Sequence, residues 1–199
     1  GDLGVLFPHC LCKCKAVGVD PVSQERIPLG PNTHIITASS DEFFATLSDQ
    51  WLTTPPDFIM IDGMPLVDYV LRDIIALEPR TLPQTLIAVP GIFPRVAESA
   101  TRRRSGADWQ GDIWKLPGIF RSYRPDLNLL ALDVEPNGLL LITRLAPPNR
   151  ILAEKRNELA HMIQQTTPPP REILQRSSAA LVGDAQYTTF LQSIQACKP

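Results

Sequence analysis

Hydrophobic positions along this chain follow two rhythms, short unbroken apolar runs and longer stretches with apolar residues at helical spacing. Short runs without polar alternation are what strands buried on both faces show, as in a parallel sheet covered by helices. The pattern predicts seven strands, at Asp2 to Leu6, Lys15 to Asp20, His34 to Ala38, Phe58 to Asp62, Leu86 to Val89, Leu127 to Val134 and Gly138 to Thr143. The last two are joined by Glu135, Pro136, Asn137 and Gly138, a link short enough to predict an antiparallel hairpin. Val67, Val70, Leu71, Ile74 and Ile75 recur at helical spacing and predict a helix from Leu66 to Leu77. Another helix is expected to start at Ser40, Asp41 and Glu42, because a capping side chain followed by early acids satisfies free amides and the helix dipole. Phe43, Phe44 and Leu47 would form its apolar stripe. Trp109 to Tyr123 is predicted helical, with Pro117 and Gly118 breaking or kinking it. Residues 149–165 are expected to form an exposed helix, Pro168 to Pro170 a stiff spacer, and 171–196 one or two terminal helices.

Two of the predicted strands end in a carboxylate, Asp20 and Asp62. A parallel strand places its last residue at the carboxyl edge of the sheet, where open α/β folds bind ligands. These two acids are therefore the first candidates for function.

Composition narrows the function classes. At 199 residues with a net charge of −2, the chain suits one main domain and lacks the broad basic excess of a nucleic-acid binder. The only basic cluster, Arg102 to Arg104, reads as a solvated helix end or loop. No apolar stretch has membrane-spanning length, so no membrane partner and a cytoplasmic location are expected. The chain opens on Gly1 rather than Met, so an upstream segment is expected. Cys10, Cys12 and Cys14 alternate and Cys197 lies far away, a spacing unlike paired zinc-site cysteines. His9, His34 and His161 have no neighbour at metal-ligand spacing.

Several short motifs then occur in an informative order: Ser39 to Phe44 (SSDEFF), Ile61 to Met64 (IDGM) with Leu71 to Asp73 (LRD), Phe93 to Arg95 (FPR), Trp109 to Lys115 (WQGDIWK), Arg124 to Leu127 (RPDL) and Pro136 to Leu139 (PNGL). Over residues 2–150 the chain resembles bacterial class I S-adenosylmethionine-dependent methyltransferases. The resemblance implies a Rossmann-like, mostly parallel seven-stranded sheet with a terminal antiparallel hairpin and helices on both faces. It assigns 1–150 to a methyltransferase-like domain and leaves 151–199 as a helical extension with a proline-rich spacer. It also implies S-adenosylmethionine as cofactor and a small-molecule substrate, with O-methyl transfer as the reaction.

Residue roles follow from the same resemblance. Asp2 and Gly4 match the acid and first glycine of the loop against the cofactor's methionine portion, and Pro8 stands at the second glycine. Asp20 matches the acid that accepts the ribose hydroxyls, Ser39 and Ser40 would approach the adenine, and Asp62 would lie beneath the methyl donor as cofactor-binding and catalytic acid. From Gly4 to Asp20 is 16 positions, against roughly 20 in a dinucleotide-type fingerprint, so the first crossover helix is expected to be shortened or replaced. Metal-dependent relatives would carry a His where Pro65 stands and an acid pair where Pro90 and Gly91 stand. With one carboxylate left, a divalent metal is not expected. Two function classes remain, a small-molecule methyltransferase and a catalytically inactive methyltransferase-fold module for binding or assembly. A nicotinamide oxidoreductase is disfavoured because no G-x-G-x-x-G follows a strand.

Overall fold

A computed structural model describes residues 15–22 and 31–196. The chain divides into two units, Gly1–Thr54 and Pro55–Pro199. In the first, strands β1 (Ala16–Val19) and β2 (Thr33–Ile36) pair in parallel, with Val17 opposite His34 and Gly18 opposite Ile35. A helix follows, α1, built of Ser40–Glu42, a wider π-helical stretch Phe43–Leu47, and Ser48–Trp51. Phe43 is buried, and Trp51 turns back toward the strands, its ring 4.9 Å from that of His34 and its carbonyl accepting from Lys15 Nζ at 2.8 Å.

The second unit holds a four-stranded sheet in the order β3 (Phe58–Met60), β4 (Leu86–Pro90), β6 (Leu139–Thr143), β5 (Asn128–Leu132). Strands β3 and β4 are parallel, whereas β6 runs antiparallel to both neighbours. The expected hairpin is present, but its second strand enters between β4 and β5 instead of extending the edge. The expected seven-stranded sheet is corrected accordingly: among the described residues there are six strands, two in one sheet and four in the other. The predicted strand at Asp2 to Leu6 lies outside the described residues.

Side chains of β4, β6 and β5 alternate between two faces. Ala88, Leu130, Leu132 and Leu141 form one cluster with Ala180 and Phe190, joined by Tyr187, Leu191 and Ile194 of helix α7 (Ala185–Ala196). The second of the predicted terminal helices, which follows the short α6 (Arg171–Leu174), thus closes this face, and Ala180 adds a parallel bridge beside Leu132. Ile87, Val89, Leu140 and Ile142 project to the other face, all at most 1% exposed. On helix α2 (Val67–Leu77), Val67, Val70, Leu71, Ile74 and Leu77 are buried, which is the predicted stripe except that Leu77 is buried and Ile75 only half-buried. Each contributes about 1.5–3 kcal/mol through burial.

Four further expectations are corrected. Strand β3 is not buried on both faces: Phe58 is 56% and Met60 39% exposed, and no described strand pairs with its outer edge. Residues 109–123 do not form one helix; a 3-10 turn, Ile113–Lys115, leads into α3 (Leu116–Tyr123). Pro117 lies in the first turn of α3, where its missing N–H has no intrahelical partner to lose, so it starts a helix rather than breaking one. Residues 149–165 form two helices, α4 (Ile151–Glu154) and α5 (Arg156–Gln164), exposed over most of their length but with Leu152, Leu159 and Ile163 buried, so one face joins the core. Arg102 is not solvated like Arg103 and Arg104, because it forms two ion pairs.

At the amino edge of the four-stranded sheet, Arg124 is fully buried where α3 ends. Its guanidinium donates to Glu78 Oε1 at 2.5 Å and grips Asp126 through Nε at 2.9 Å and NH2 at 2.8 Å. Burial pushes the Glu78 carboxyl up, with Arg124 opposing, whereas the hydrogen bonds from Arg124 hold Asp126 below the usual carboxylate range. The RPDL motif is thus a brace between the end of α2 and the start of β5. Removing one partner of a buried pair costs about 3–5 kcal/mol, because the other charge is left uncompensated.

A lowered folded-state pKa stabilises the protein above the unfolded value of ~3.9 and is lost as pH falls through the folded value. Asp126→Asn is therefore expected to lower stability to urea at pH 7, and the gap from the unmodified chain should close as unfolding is repeated at successively lower pH below ~4. A gap independent of pH would show that the Asp126 charge is not the stabilising element.

Candidate functional site

Candidate residues occur in both units. In the first, Asp20 directly follows β1 and donates its amide to Ile36 O at 3.1 Å, so it continues the ladder at the carboxyl edge. Its Oδ1 accepts from Val22 N at 2.7 Å, a bond that closes the turn through Pro21. Among the described residues, the other carboxylate oxygen has no hydrogen-bond partner. Ser39 and Ser40 lie at the same edge, after β2. Ser39, not Ser40, caps α1: its hydroxyl accepts from Glu42 N at 3.2 Å and donates to Glu42 Oε2 at 2.8 Å, and Ser39 N donates to the same oxygen at 2.9 Å. This reciprocal capping box holds the Glu42 carboxyl below its usual range. Ser40 is the first helical residue and is half-buried. Asp2, Gly4, Pro8, His9 and all four cysteines lie outside the described residues.

In the second unit, Ile61 donates to Ala88 O at 3.0 Å, which ends the pairing of β3 with β4 just before Asp62. Asp62 itself is exposed, and among the described residues its carboxylate has no hydrogen bond or ion pair. Gly63 and Met64 are exposed too, and Leu66 N turns back to Met64 O at 2.7 Å before α2 begins.

What holds this loop comes from a distant segment. Asp112, 1% exposed, accepts from Val67 N through Oδ1 at 3.0 Å and donates its own amide to Pro65 O at 3.1 Å. Its Oδ2 pairs with Arg102 NH1 at 2.9 Å and Lys115 Nζ at 3.2 Å. Arg102 reaches on to Asp68 at 2.9 Å, and Lys115 donates to Ile163 O at 2.8 Å and Gln165 O at 2.9 Å, at the end of α5. Burial works against the Arg102 charge, but the bonds to Asp68 and Asp112 outweigh it and raise its pKa. Gly111 makes the approach possible: its φ is +65°, and a Cβ there would stand 1.7 Å from Pro65 O.

The exit of β4 is tied into the same edge. Gly91 N donates to Gly138 O at 3.0 Å and Phe93 N to Asn137 O at 2.8 Å. Gln110 accepts from Arg95 N at 2.9 Å and donates to Asn137 Oδ1 at 3.2 Å. The indoles of Trp109 and Trp114 donate to the carbonyls of Thr101 and Ala100, at 2.6 and 3.4 Å. From the tail, Arg176 donates to Asp133 Oδ1 at 2.5 Å and to Pro136 O at 2.6 Å.

The structure thus brings Asp20 to one edge with Ser39 and Ser40, and Asp62 to another with Pro65, Pro90 and Gly91. Pro65 and Gly91 offer no side-chain base or ligand, and their backbones are used in the scaffold. No group of three or more His, Cys, Asp or Glu side chains among the described residues is placed to hold a metal ion. Likewise, no helix of the described residues is long and apolar enough to cross a membrane. Sequence reasoning included Asp112 and Lys115 only as members of the motif Trp109 to Lys115; their spacing of three and the lone glycine before Asp112 were the available signals.

No protein-family model and no curated protein sequence matches the chain. Among solved structures it is similar to the MycE methyltransferase from the mycinamycin biosynthetic pathway in complex with Mg, SAH and mycinamycin VI, at 15% identity and a TM-score of 0.46. Two crystal forms of MycE with Mg and SAH match at 16% and 14% identity, with TM-scores of 0.43 and 0.46. Each covers 67% of this chain, and the chain spans 37% of each MycE chain.

Gly111→Ala is expected to destabilise the chain by about 2 kcal/mol or more, from positive φ and the clash with Pro65 together. Gly63→Ala, whose added Cβ meets nothing within 4 Å, should stay within about 0.5 kcal/mol. Urea unfolding of the two variants separates these outcomes, and equal losses would show that the Gly111 approach does not matter.

Proposed function

We propose that this chain is a methyltransferase-like protein that binds S-adenosylmethionine at the carboxyl edges of its parallel strands and transfers the methyl group to a hydroxyl of a small molecule. The observation that supports this best is that Asp20 directly follows β1 and Asp62 stands two residues after β3, each strand being one of a parallel pair, β1 with β2 and β3 with β4. Carboxyl edges of such strands are where α/β folds bind ligands. The hairpin that closes the four-stranded sheet agrees with the resemblance in the sequence.

In this reading Asp20 Oδ2 accepts a ribose hydroxyl, while Oδ1 keeps the turn in place. Ser39 and Ser40 border the adenine, Asp2 and Gly4 the methionine portion, and the exposed Asp62 carboxylate faces the positively charged donor. S-adenosylmethionine brings a methyl group already activated by its sulfonium, so the protein's task is to orient donor and acceptor and exclude water. Pro65, Pro90 and Gly91 near Asp62 bring no side-chain ligand, and no cluster that could hold a metal ion occurs among the described residues.

A second reading, a methyltransferase-fold module that binds without catalysis, is favoured by Pro65, Pro90 and Gly91. These residues stand where a base or further ligands would be, and supply none.

Calorimetric titration with S-adenosylmethionine and S-adenosylhomocysteine is expected to give micromolar binding that Asp20→Ala abolishes. Absence of heat at millimolar ligand would sink the cofactor reading. Binding without label transfer from methyl-labelled donor to any hydroxyl acceptor would leave the second reading.

A further inference from the structure

We propose that Asp112 is a positioning residue that sets the placement of the Asp62 loop. The loop has two anchors. Ile61 N holds its start to β4 through Ala88 O, and Asp112 holds its end twice, through Pro65 O and Val67 N. Only Asp62, Gly63 and Met64 lie between, all exposed. Where the loop's end sits therefore sets where the Asp62 carboxylate can reach.

A remote acid is a costly way to cap a helix. A Ser, Thr, Asp or Asn at the N-cap would satisfy the first amides of α2, yet that position is Leu66, which makes no side-chain cap bond. The cap comes from 45 residues away. Burying a carboxylate is unfavourable unless it is paired and hydrogen-bonded, and Asp112 is both. A remote cap adds what a local one does not, a fixed register between the loop after β3 and the segment Gln110 to Lys115. Lys115 extends that register to the last carbonyls of α5. Gly111 carries no side chain because the backbones meet there.

The placement claim stands on geometry alone, whereas its effect on ligand binding rests on the S-adenosylmethionine reading. Both are tested in the full chain with Asp112→Asn, which keeps the shape and removes the charge. Glu78→Gln, at the opposite edge, is the control for general loss of stability. Amide exchange of Val67 and Asp112 is expected to quicken about tenfold in Asp112→Asn, the size of one lost charge-assisted hydrogen bond, with Leu140 to Ile142 unchanged. Affinity for S-adenosylhomocysteine should fall about tenfold in the folded protein. Glu78→Gln should alter neither. Equal exchange changes in both variants, or none in Asp112→Asn, would overturn the proposal. If the unmodified chain binds no S-adenosylhomocysteine, the cofactor reading fails while exchange still decides the placement. Unchanged affinity beside faster local exchange would refute the link to binding. If Asp112→Asn does not fold, Lys115→Met removes one of the paired charges and is judged by the same two measurements.

Discussion

A single buried carboxylate organises the carboxyl edge of the four-stranded sheet. Asp112 meets donors from α2, from the Arg102 loop and from the turn before α3, and Lys115 carries the connection to the end of α5. A lone carboxylate in a buried setting would be strongly unfavourable, so Arg102 and Lys115 are conditions of its presence there. In return, backbone segments that share no hydrogen-bonded ladder hold a common register. The exposed Asp62 owes its place to that arrangement rather than to partners of its own.

The opposite edge uses the same physics with different residues. Arg124 is shared between buried Glu78 and half-exposed Asp126, fastening the turn after α2 to the end of α3. Between the two polar braces the sheet contributes apolar surface on both faces, and α7 closes one of them around Phe190. The tail is therefore part of this unit's core, and its Arg176 also fastens the turn of the hairpin through Asp133 and Pro136.

The candidate site is a contrast between committed and open groups. Ser39 is occupied in capping α1, one oxygen of Asp20 closes its own turn, and Pro65 and Gly91 lend their backbones to the scaffold. Among the described residues, the second oxygen of Asp20 and the carboxylate of Asp62 have no hydrogen-bond partner. Pro65 and Gly91 bring no acid-base side chain to the Asp62 loop, so for the proposed function binding and catalysis are separable questions.

Much of the local structure was written in local patterns. The α2 stripe, the apolar runs of β1 and β4, and the turn at Glu135 to Gly138 depend on neighbours a few residues away, so periodicity and turn chemistry determined them. The acid-tipped strands were legible for the same reason, since a carboxylate after an apolar run marks the strand's end. What the pattern could not determine was pairing and exposure. An apolar run does not say whether a strand is central or at an edge, and β3 is exposed at Phe58 and Met60 because no described strand covers its outer side. An acid in a mixed segment does not reveal whether it faces water, and only folding placed Asp112 against Val67, Arg102 and Lys115. Contacts across 45 residues leave no local periodicity. Tertiary structure alone decided which carboxylates became scaffold and which remained open.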